Sequence, residues 1–196
     1  MDILFENQHI AACVKPVGLD SEHELPQALS EMIGGSFFCV HRLDKNVGGV
    51  MVYARTKAAA AELNKTIQDG TMVKEYVALV HGTPPAQGDW EDLLFKDSAK
   101  NKVFVVKTER KGVKKARLEF LRITESDPAL MRIRLHTGRS HQIRVQFSSR
   151  GYPLVGDRKY GARDDSPDPM LFSCRLSFPL FGQDMSFEAM PPWTTI

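Results

Sequence analysis

The tetrapeptide at residues 41–44 (HRLD) lies at the end of a predicted strand and is followed by two glycines. An acid beside glycines at a strand end, here Asp44, can project into a cleft because glycine permits a sharp turn. The neighbouring Arg42 can face an anion in such a cleft. Composition alone favours a simpler explanation, a surface turn whose adjacent charges form a weak, exposed ion pair.

A second segment, residues 135–144, combines a strand end, a glycine turn and a helix start with many side-chain donors. Ser140 is predicted to cap a helix over residues 141–149, which would place backbone N–H groups and cations where a phosphate can bind. The alternative is an amphipathic helix with a solvated basic side. Three polar residues share one face of this predicted helix: His141, Arg144 and Ser148.

Two further segments carry weaker signals. Tyr76 lies in a predicted strand over residues 72–81, and a single tyrosine in a strand is most often part of a core or an interface. Residues 107–115 carry five positive charges and one acid around Gly112, so this predicted hairpin tip can contact a phosphate backbone. A solvated loop explains the same charges nearly as well.

Metal and cofactor motifs have no support in the sequence. The six histidines have no zinc-site spacing, and the phosphate-binding loop, the dinucleotide-binding glycines and the serine nucleophile motif are absent. We therefore expect neither a metal nor a nucleotide cofactor. The three cysteines, Cys13, Cys39 and Cys174, form no C-x-x-C pair, so we expect buried reduced thiols.

The elements that must position these residues are many short strands with irregularly interspersed helices, which predicts an α+β fold. Thr56 is the predicted N-cap of a central helix that ends before Gly70. The loop over residues 162–169 is the expected flexible segment. Predicted helices cover residues 26–33, 57–69 and 141–149, and predicted strands cover residues 3–5, 9–14, 37–40, 49–54, 72–81, 102–107, 116–123, 130–136, 171–178 and 186–189.

Length and composition predict one globular domain over residues 1–196. Hydrophobic residues make up 42% of the chain and charged residues 26%, which excludes disordered, collagen-like and coiled-coil proteins. The net charge is only +2, but residues 101–196 carry +7, with five arginines and no acid between positions 129 and 156. This asymmetry indicates a polyanionic partner. An acidic N-terminus without a long apolar run predicts a cytoplasmic protein with no membrane association.

Four segments resemble the signatures of the RluA-type RNA pseudouridine synthases, in the order that this family has them. They are KPVGL at 15–19, HRLDKNVGGVMVYAR at 41–55, KEYVALVHG at 74–82 and GRSHQIRVQFSSRGYPLVGDRKYGA at 138–162. The resemblance implies a bilobed catalytic domain with a central mixed, largely antiparallel sheet flanked by helices. It also implies conversion of a specific uridine in RNA to pseudouridine, without a cofactor or metal.

The same resemblance implies roles for individual residues. Asp44 is similar to the catalytic aspartate, Tyr76 to the tyrosine that stacks on the base, and Arg144 to the arginine that pairs with the aspartate. Arg42 resembles the residue that helps to displace the target base. Further RNA contacts are expected from His41, Arg139, His141, Gln142, Lys114 and Lys115.

Two departures from the family pattern, and two rival functions, stay open at this point. Val47-Gly48 stands where the family usually has Thr-Ser, and Gln146 stands where it often has histidine. The main rival is an inactive RNA-binding module of the same fold, and the second is a nuclease that uses the basic helix. We expect a monomer without an accessory RNA-binding domain, acting on a stem-loop of ribosomal or transfer RNA.

Overall fold

Alternating apolar residues and glycine turns divide the chain into eleven strands and three α-helices within residues 1–194, the part that the computed structural model describes. In chain order they are β1 (Asp2–Glu6), β2 (Ile10–Lys15), α1 (Glu24–Ile33), β3 (Phe38–Cys39), β4 (Gly48–Ala54), α2 (Lys57–Gln68), β5 (Val73–Val80), β6 (Gln87–Asp97), β7 (Lys102–Val106), β8 (Val113–Arg122), β9 (Ala129–Leu135), α3 (Gln142–Ser148), β10 (Leu171–Leu180) and β11 (Gln183–Glu188).

The expected α+β fold is confirmed, and the chain forms two compact units. The first comprises Met1–Lys74 together with the segment from Phe172 onward, and the second comprises Glu75–Leu171. The helices of the described chain are all too short or too polar to cross a membrane.

The first unit contains a mixed sheet in the order β1-β2-β4-β10, with β3 on β4 and β11 on β10. β4 pairs with β10 in parallel and with β2 antiparallel, and all of its residues are buried. α2 covers this sheet with Ala59 and Leu63, and the predicted cap is confirmed because the Thr56 hydroxyl accepts the Ala59 N–H at 3.1 Å. The core therefore lies between the helix and the two central strands.

The second unit contains strands in the order β5-β9-β8-β6-β7, and β9-β8-β6-β7 pair antiparallel. Leu94, Val103 and Ala116 point to one face of this sheet, where Val145 of α3 and Tyr160 pack on them. A short 3₁₀ turn over Arg158–Tyr160 follows α3 and brings Tyr160 to this core.

The sequence prediction missed β6, the longest helix or strand that the structure describes within the second unit, at eleven residues. Its acids and Gly88 disfavour a strand when they are considered alone. Each of two acids has a cationic partner, however: Asp89 accepts from Arg117 at 2.7 Å, and Asp92 accepts from Arg150 at 2.8 Å. Cross-strand and helix contacts thus outweigh local propensity here.

The predicted start of α3 was wrong. The helix begins at Gln142, and Ser140 does not cap it; His141 occupies the N-cap position with φ +50° and makes no side-chain capping bond. Most other predicted elements are present with ends shifted by one to three residues. The loop over residues 162–169 is tied to the fold by Asp164, which accepts the N–H groups of Gly156 and Ser166.

Candidate active site and RNA-binding surface

Asp44 lies in the first unit, in the turn that precedes β4. A distant segment holds this turn: the Ser21 hydroxyl donates to the Leu43 carbonyl at 2.9 Å and accepts the Leu43 N–H at 3.2 Å. The Tyr53 hydroxyl in turn donates to the Ser21 carbonyl at 2.7 Å, and the Asp44 carbonyl accepts the Val47 N–H at 2.9 Å. Because Ser21 and Tyr53 are fully buried, these bonds fix the backbone of the turn that carries Asp44.

A buried lysine reinforces the same turn. The Lys15 ammonium is fully buried and donates to the carbonyls of Pro16 at 3.0 Å, Leu19 at 2.8 Å and Lys45 at 3.1 Å. Burial lowers the pKa of Lys15 to about 8, while nearby carboxylates that include Asp44 oppose this shift. Lys15 therefore joins the KPVGL segment to the residue after Asp44 and places a positive charge near the carboxylate.

The departure at Val47-Gly48 concerns packing. Val47 is 2% exposed and belongs to the core. Gly49 has φ +128°, and a Cβ there would lie 2.4 Å from the backbone of Ser173, so this position requires glycine. At Gly48 a Cβ would lie 3.2 Å from the Lys15 carbonyl, so the absence of a side chain lets the backbone of the KPVGL segment lie close to β4.

His41 and Arg42 differ in their surroundings. The His41 Nε2 accepts the Val52 N–H at 3.1 Å, and burial, with a smaller contribution from Lys74, lowers its pKa to about 3. This neutral, backbone-bound ring favours a structural role over the predicted RNA contact. The Arg42 side chain is 58% exposed and pairs with Glu22 at 2.9 Å, which leaves it accessible to an anion.

Tyr76 lies on β5 and is 7% exposed. The preceding residue, Glu75, accepts the Nε of Arg132 at 3.1 Å. The burial of Tyr76 is compatible with a core position and with a base-stacking position. Its role as a stacking residue stays a prediction.

Arg144 lies on α3 and forms a buried bidentate ion pair with Asp157. Its Nε donates to Oδ2 at 2.6 Å and its Nη2 to Oδ1 at 2.8 Å, and the two side chains are 4% and 1% exposed. The guanidinium also lies 5.2 Å from the centre of the Tyr160 ring. The predicted pairing of Arg144 with Asp44 stays a prediction.

The polar face of α3 is covered and is not a solvated basic side. Tyr160 lies against it: its hydroxyl oxygen is 2.8 Å from His141 Nδ1, and its carbonyl accepts the Ser148 hydroxyl at 2.5 Å. The solvated basic side is therefore wrong for this face, because Arg144 is buried in an ion pair. A contact of His141 with RNA stays a prediction.

Gln142 is buried and holds the turn before α3. Its Oε1 accepts the Thr137 hydroxyl at 2.8 Å and the Arg139 N–H at 3.0 Å, and its Nε2 donates to the Arg117 carbonyl at 3.1 Å. This arrangement argues against the predicted RNA contact of Gln142 and favours a structural role. It also orients the residue that follows the turn's glycine, Arg139.

Three of the predicted surface cations lie in the second unit, at the start of β8 or beside it. Arg139 is exposed and donates from Nε to the Lys115 carbonyl at 2.8 Å, which places it beside the first residues of β8. Lys114 and Lys115 are exposed there, and Lys115 lies 3.6 Å from Glu109 in the loop between β7 and β8. The predicted hairpin is wrong, because β6 lies between these two strands in the sheet. Each of these exposed cations can neutralise a phosphate, and Lys114 and Lys115, as successive residues of a strand, point to opposite faces of the sheet.

Gln146, the second departure, belongs to a buried network that packs α3 on β6. Its Nε2 donates to Asp92 at 2.7 Å, and Asp92 also accepts both terminal nitrogens of Arg150. The Arg150 guanidinium lies 4.3 Å from the Trp90 ring. The departure therefore alters the scaffold on the side of α3 away from the Arg144 ion pair.

The sequence assignments missed Asp157, Tyr160 and Lys15. All three lie inside the quoted family segments, in KPVGL and GDRKY, so the motifs contained the signal without indicating a role. The first unit thus presents a carboxylate on a rigidly held turn, and the second presents a buried arginine, a buried tyrosine and exposed cations. Such groups can support acid–base or nucleophilic chemistry on a nucleic acid.

Comparisons with known proteins agree with this chemistry. A family model described as RNA pseudouridylate synthase matches residues 10–149. The dual-specificity RNA pseudouridine synthase RluA of Escherichia coli K12 is 34% identical over 95% of this chain and 91% of its own length. The ribosomal large subunit pseudouridine synthase D of Zymomonas mobilis is 29% identical over 98% of this chain and 69% of its own.

Solved structures share the fold. Human RNA pseudouridylate synthase domain containing 1 superposes with a TM-score of 0.86 at 22% identity, covering 97% of this chain and 83% of its own. The chain therefore belongs to the RNA pseudouridylate synthase family, and within it to the RluA-type enzymes, which are isomerases.

Proposed function

We propose that this enzyme converts a uridine of ribosomal RNA to pseudouridine, with transfer RNA as the second candidate substrate. The Zymomonas mobilis relative is named for the ribosomal large subunit and the Escherichia coli relative for dual specificity, which supports this order. The target lies in a compact stem-loop, and the enzyme acts as a cytoplasmic monomer.

In this proposal Asp44 is the catalytic carboxylate. The reaction breaks the bond between N1 and C1′, turns the uracil and joins C5 to C1′. The hydrogen of C5 leaves as a proton to water and N1 gains a proton, so the step needs no redox partner. Asp44 acts either as a nucleophile at the sugar or as a base at C2′. Arg144 keeps this carboxylate ionised, and Tyr76 supplies a platform for the detached uracil.

The fixed turn of Asp44 is the observation that carries the proposal. The backbone of its turn is held by Ser21, Tyr53 and Lys15, all fully or almost fully buried, so the side chain starts from a fixed Cα position without help from substrate. A catalytic group must be held in this way, because small displacements cost large factors in rate. A plain surface turn would not need a buried lysine.

RNA binding in this proposal comes from exposed cations. Arg42 assists displacement of the target base, and Arg139, Lys114 and Lys115 bind phosphates. His141 contributes a further contact. The target base must leave its stack, and phosphate contacts offset that unfavourable free energy.

Tritium release tests the reaction class. Cellular RNA labelled with tritium at uracil C5 should release tritium to water when the purified enzyme is added, without magnesium or nucleotide. Asp44→Asn should abolish release while the RNA dissociation constant stays within about tenfold, because binding rests on other residues. Asp184→Asn, an exposed acid on β11, is the matched control and should retain full activity.

Three outcomes would contradict the proposal. Chain cleavage would indicate a nuclease, and RNA binding without tritium release by the unmodified enzyme would indicate the inactive RNA-binding module. Turnover above about 1% of normal in folded Asp44→Asn, a loss of less than about 2.7 kcal/mol, would assign the chemistry to another residue. Mapping of pseudouridines in a deletion strain and its parent distinguishes ribosomal from transfer RNA.

A further inference from the structure

Tyr160 connects two of the predicted site residues and has no role in the family comparison. The residue is 6% exposed and follows the acidic partner of Arg144 by three positions. Its hydroxyl oxygen lies 2.8 Å from the Val103 nitrogen and 2.8 Å from His141 Nδ1. Its ring lies 5.2 Å from the Arg144 guanidinium.

The two bonds of the Tyr160 hydroxyl determine where its proton lies. The backbone N–H of Val103 can only donate, so the hydroxyl oxygen accepts this bond. The hydroxyl can give its own proton to His141 Nδ1, which lies 2.8 Å away. In that arrangement the hydrogen of a neutral His141 lies on Nε2.

The backbone restrains His141 as well. Its φ of +50° lies in the left-handed region, which residues other than glycine adopt at a cost in free energy. The imidazole meets the Tyr160 ring edge-on, with centroids 5.6 Å apart. A turn in this conformation and a hydrogen bond at Nδ1 together hold the ring in one orientation.

Arg144 is held by the same short segment. Asp157 binds the guanidinium of Arg144 through two hydrogen bonds, and the ring of Tyr160, one 3₁₀ turn later, lies beside the guanidinium. The Ser148 hydroxyl binds the Tyr160 carbonyl at 2.5 Å and joins this segment to α3. Asp157 and the Tyr160 ring together orient the arginine, whereas the Tyr160 hydroxyl contacts the histidine.

We propose that Tyr160 is a positioning residue of the pseudouridine synthase site, with two separable parts. Its hydroxyl keeps His141 in the Nε2–H form as a donor to the RNA, and its ring keeps Arg144 in place for the reaction. This inference rests on the proposed function, because both target residues belong to the proposed site.

Nitrogen NMR of the histidine-labelled enzyme tests the hydroxyl directly. The His141 signals, identified by their loss in His141→Ala, should show an unprotonated Nδ1 and a protonated Nε2 near neutral pH. Tyr160→Phe should mix the two neutral forms. A protonated Nδ1 in the unmodified enzyme would refute the proposal without any activity measurement.

Kinetics separate the two parts. Tyr160→Phe keeps the ring, so KM should rise about tenfold while kcat stays within about twofold, since one positioned hydrogen bond is lost. Tyr160→Leu removes the ring too, and kcat should also fall at least tenfold. Tyr152→Phe removes another hydroxyl of the same unit and is the matched control, with neither constant changed.

A double-mutant cycle checks that the hydroxyl acts through the histidine. Tyr160→Phe should add no further rise in KM to His141→Ala. Additive effects on KM would mean that Tyr160 has a purely structural role. The same conclusion would follow if kcat fell equally in both Tyr160 variants and in proportion to their loss of melting temperature. If Tyr160→Leu does not fold, Tyr160→Phe and the NMR result still decide. An unmodified enzyme that forms no pseudouridine would refute the proposed function instead.

Discussion

Replacing Asp157 with asparagine removes the charge that faces the Arg144 guanidinium while the size of the side chain is kept. The two hydrogen bonds of this pair are 2.6 and 2.8 Å long, and both side chains are at most 4% exposed. Removing one partner of a buried pair costs about 3–5 kcal/mol. Because asparagine retains one carbonyl acceptor, we expect a loss near the lower end, about 3 kcal/mol.

This loss translates into a change in melting temperature. At about 2.1 cal/mol/K per residue, unfolding of the 196-residue chain has an entropy of roughly 0.4 kcal/mol/K. The expected decrease in Tm is therefore about 7 °C. Circular dichroism during heating measures this shift, with Asp165→Asn, an exposed acid of the neighbouring loop, as the control.

Activity should fall as well, because the arginine loses the carboxylate that orients it. The decrease should appear in kcat measured by tritium release at a temperature where the variant is folded. A change in Tm below 2 °C would mean that the ion pair contributes little, and the assignment of Asp157 as the support of Arg144 would be wrong.

Other substitutions test other parts of the molecule. Lys114→Ala with Lys115→Ala should weaken binding of all RNAs and reduce the slope of log Kd against log salt by up to about two. An unchanged slope would mean that residues 107–115 form only a solvated loop. Lys15 has a folded pKa of about 8 against 10.5 normally, so the folded state loses its proton first as pH rises. Unfolding free energy should therefore increase between these pH values in the wild type and not in Lys15→Met; parallel curves would contradict the burial of this charge. Burial raises the pKa of Asp164, but hydrogen bonds from Gly156, His81 and Ser166 lower it by more, so the pKa lies well below its usual value. The stability difference between wild type and Asp164→Asn should be fully present above pH about 4 and shrink as pH falls below it; a difference independent of pH would refute this. Burial raises the pKa of Cys39 to about 11, so iodoacetamide should label it slowly at pH 7 and rapidly after unfolding.

The sequence by itself determined the family, the α+β class and the residues on which the chemistry is proposed to depend. The family and these residues follow from the resemblance of four short segments to the family signatures, which contain the acid of HRLD, the tyrosine of KEY and the arginine of HQIR. The Thr56 cap and the stop at Gly70 were also predictable, because capping depends on residues within one turn of the helix end. Interactions over a few residues are visible in the sequence.

Only the tertiary structure decided what surrounds those residues. Arg144 appears in the sequence as a cation on a basic helix, yet it is buried against Asp157 and Tyr160, thirteen and sixteen positions further along the chain. Gln142 and His41 appear as RNA contacts, yet their polar atoms bind nearby backbone groups. Burial and partner choice depend on which segments the fold brings together, and free energies of desolvation and pairing that decide a side chain's role arise only there.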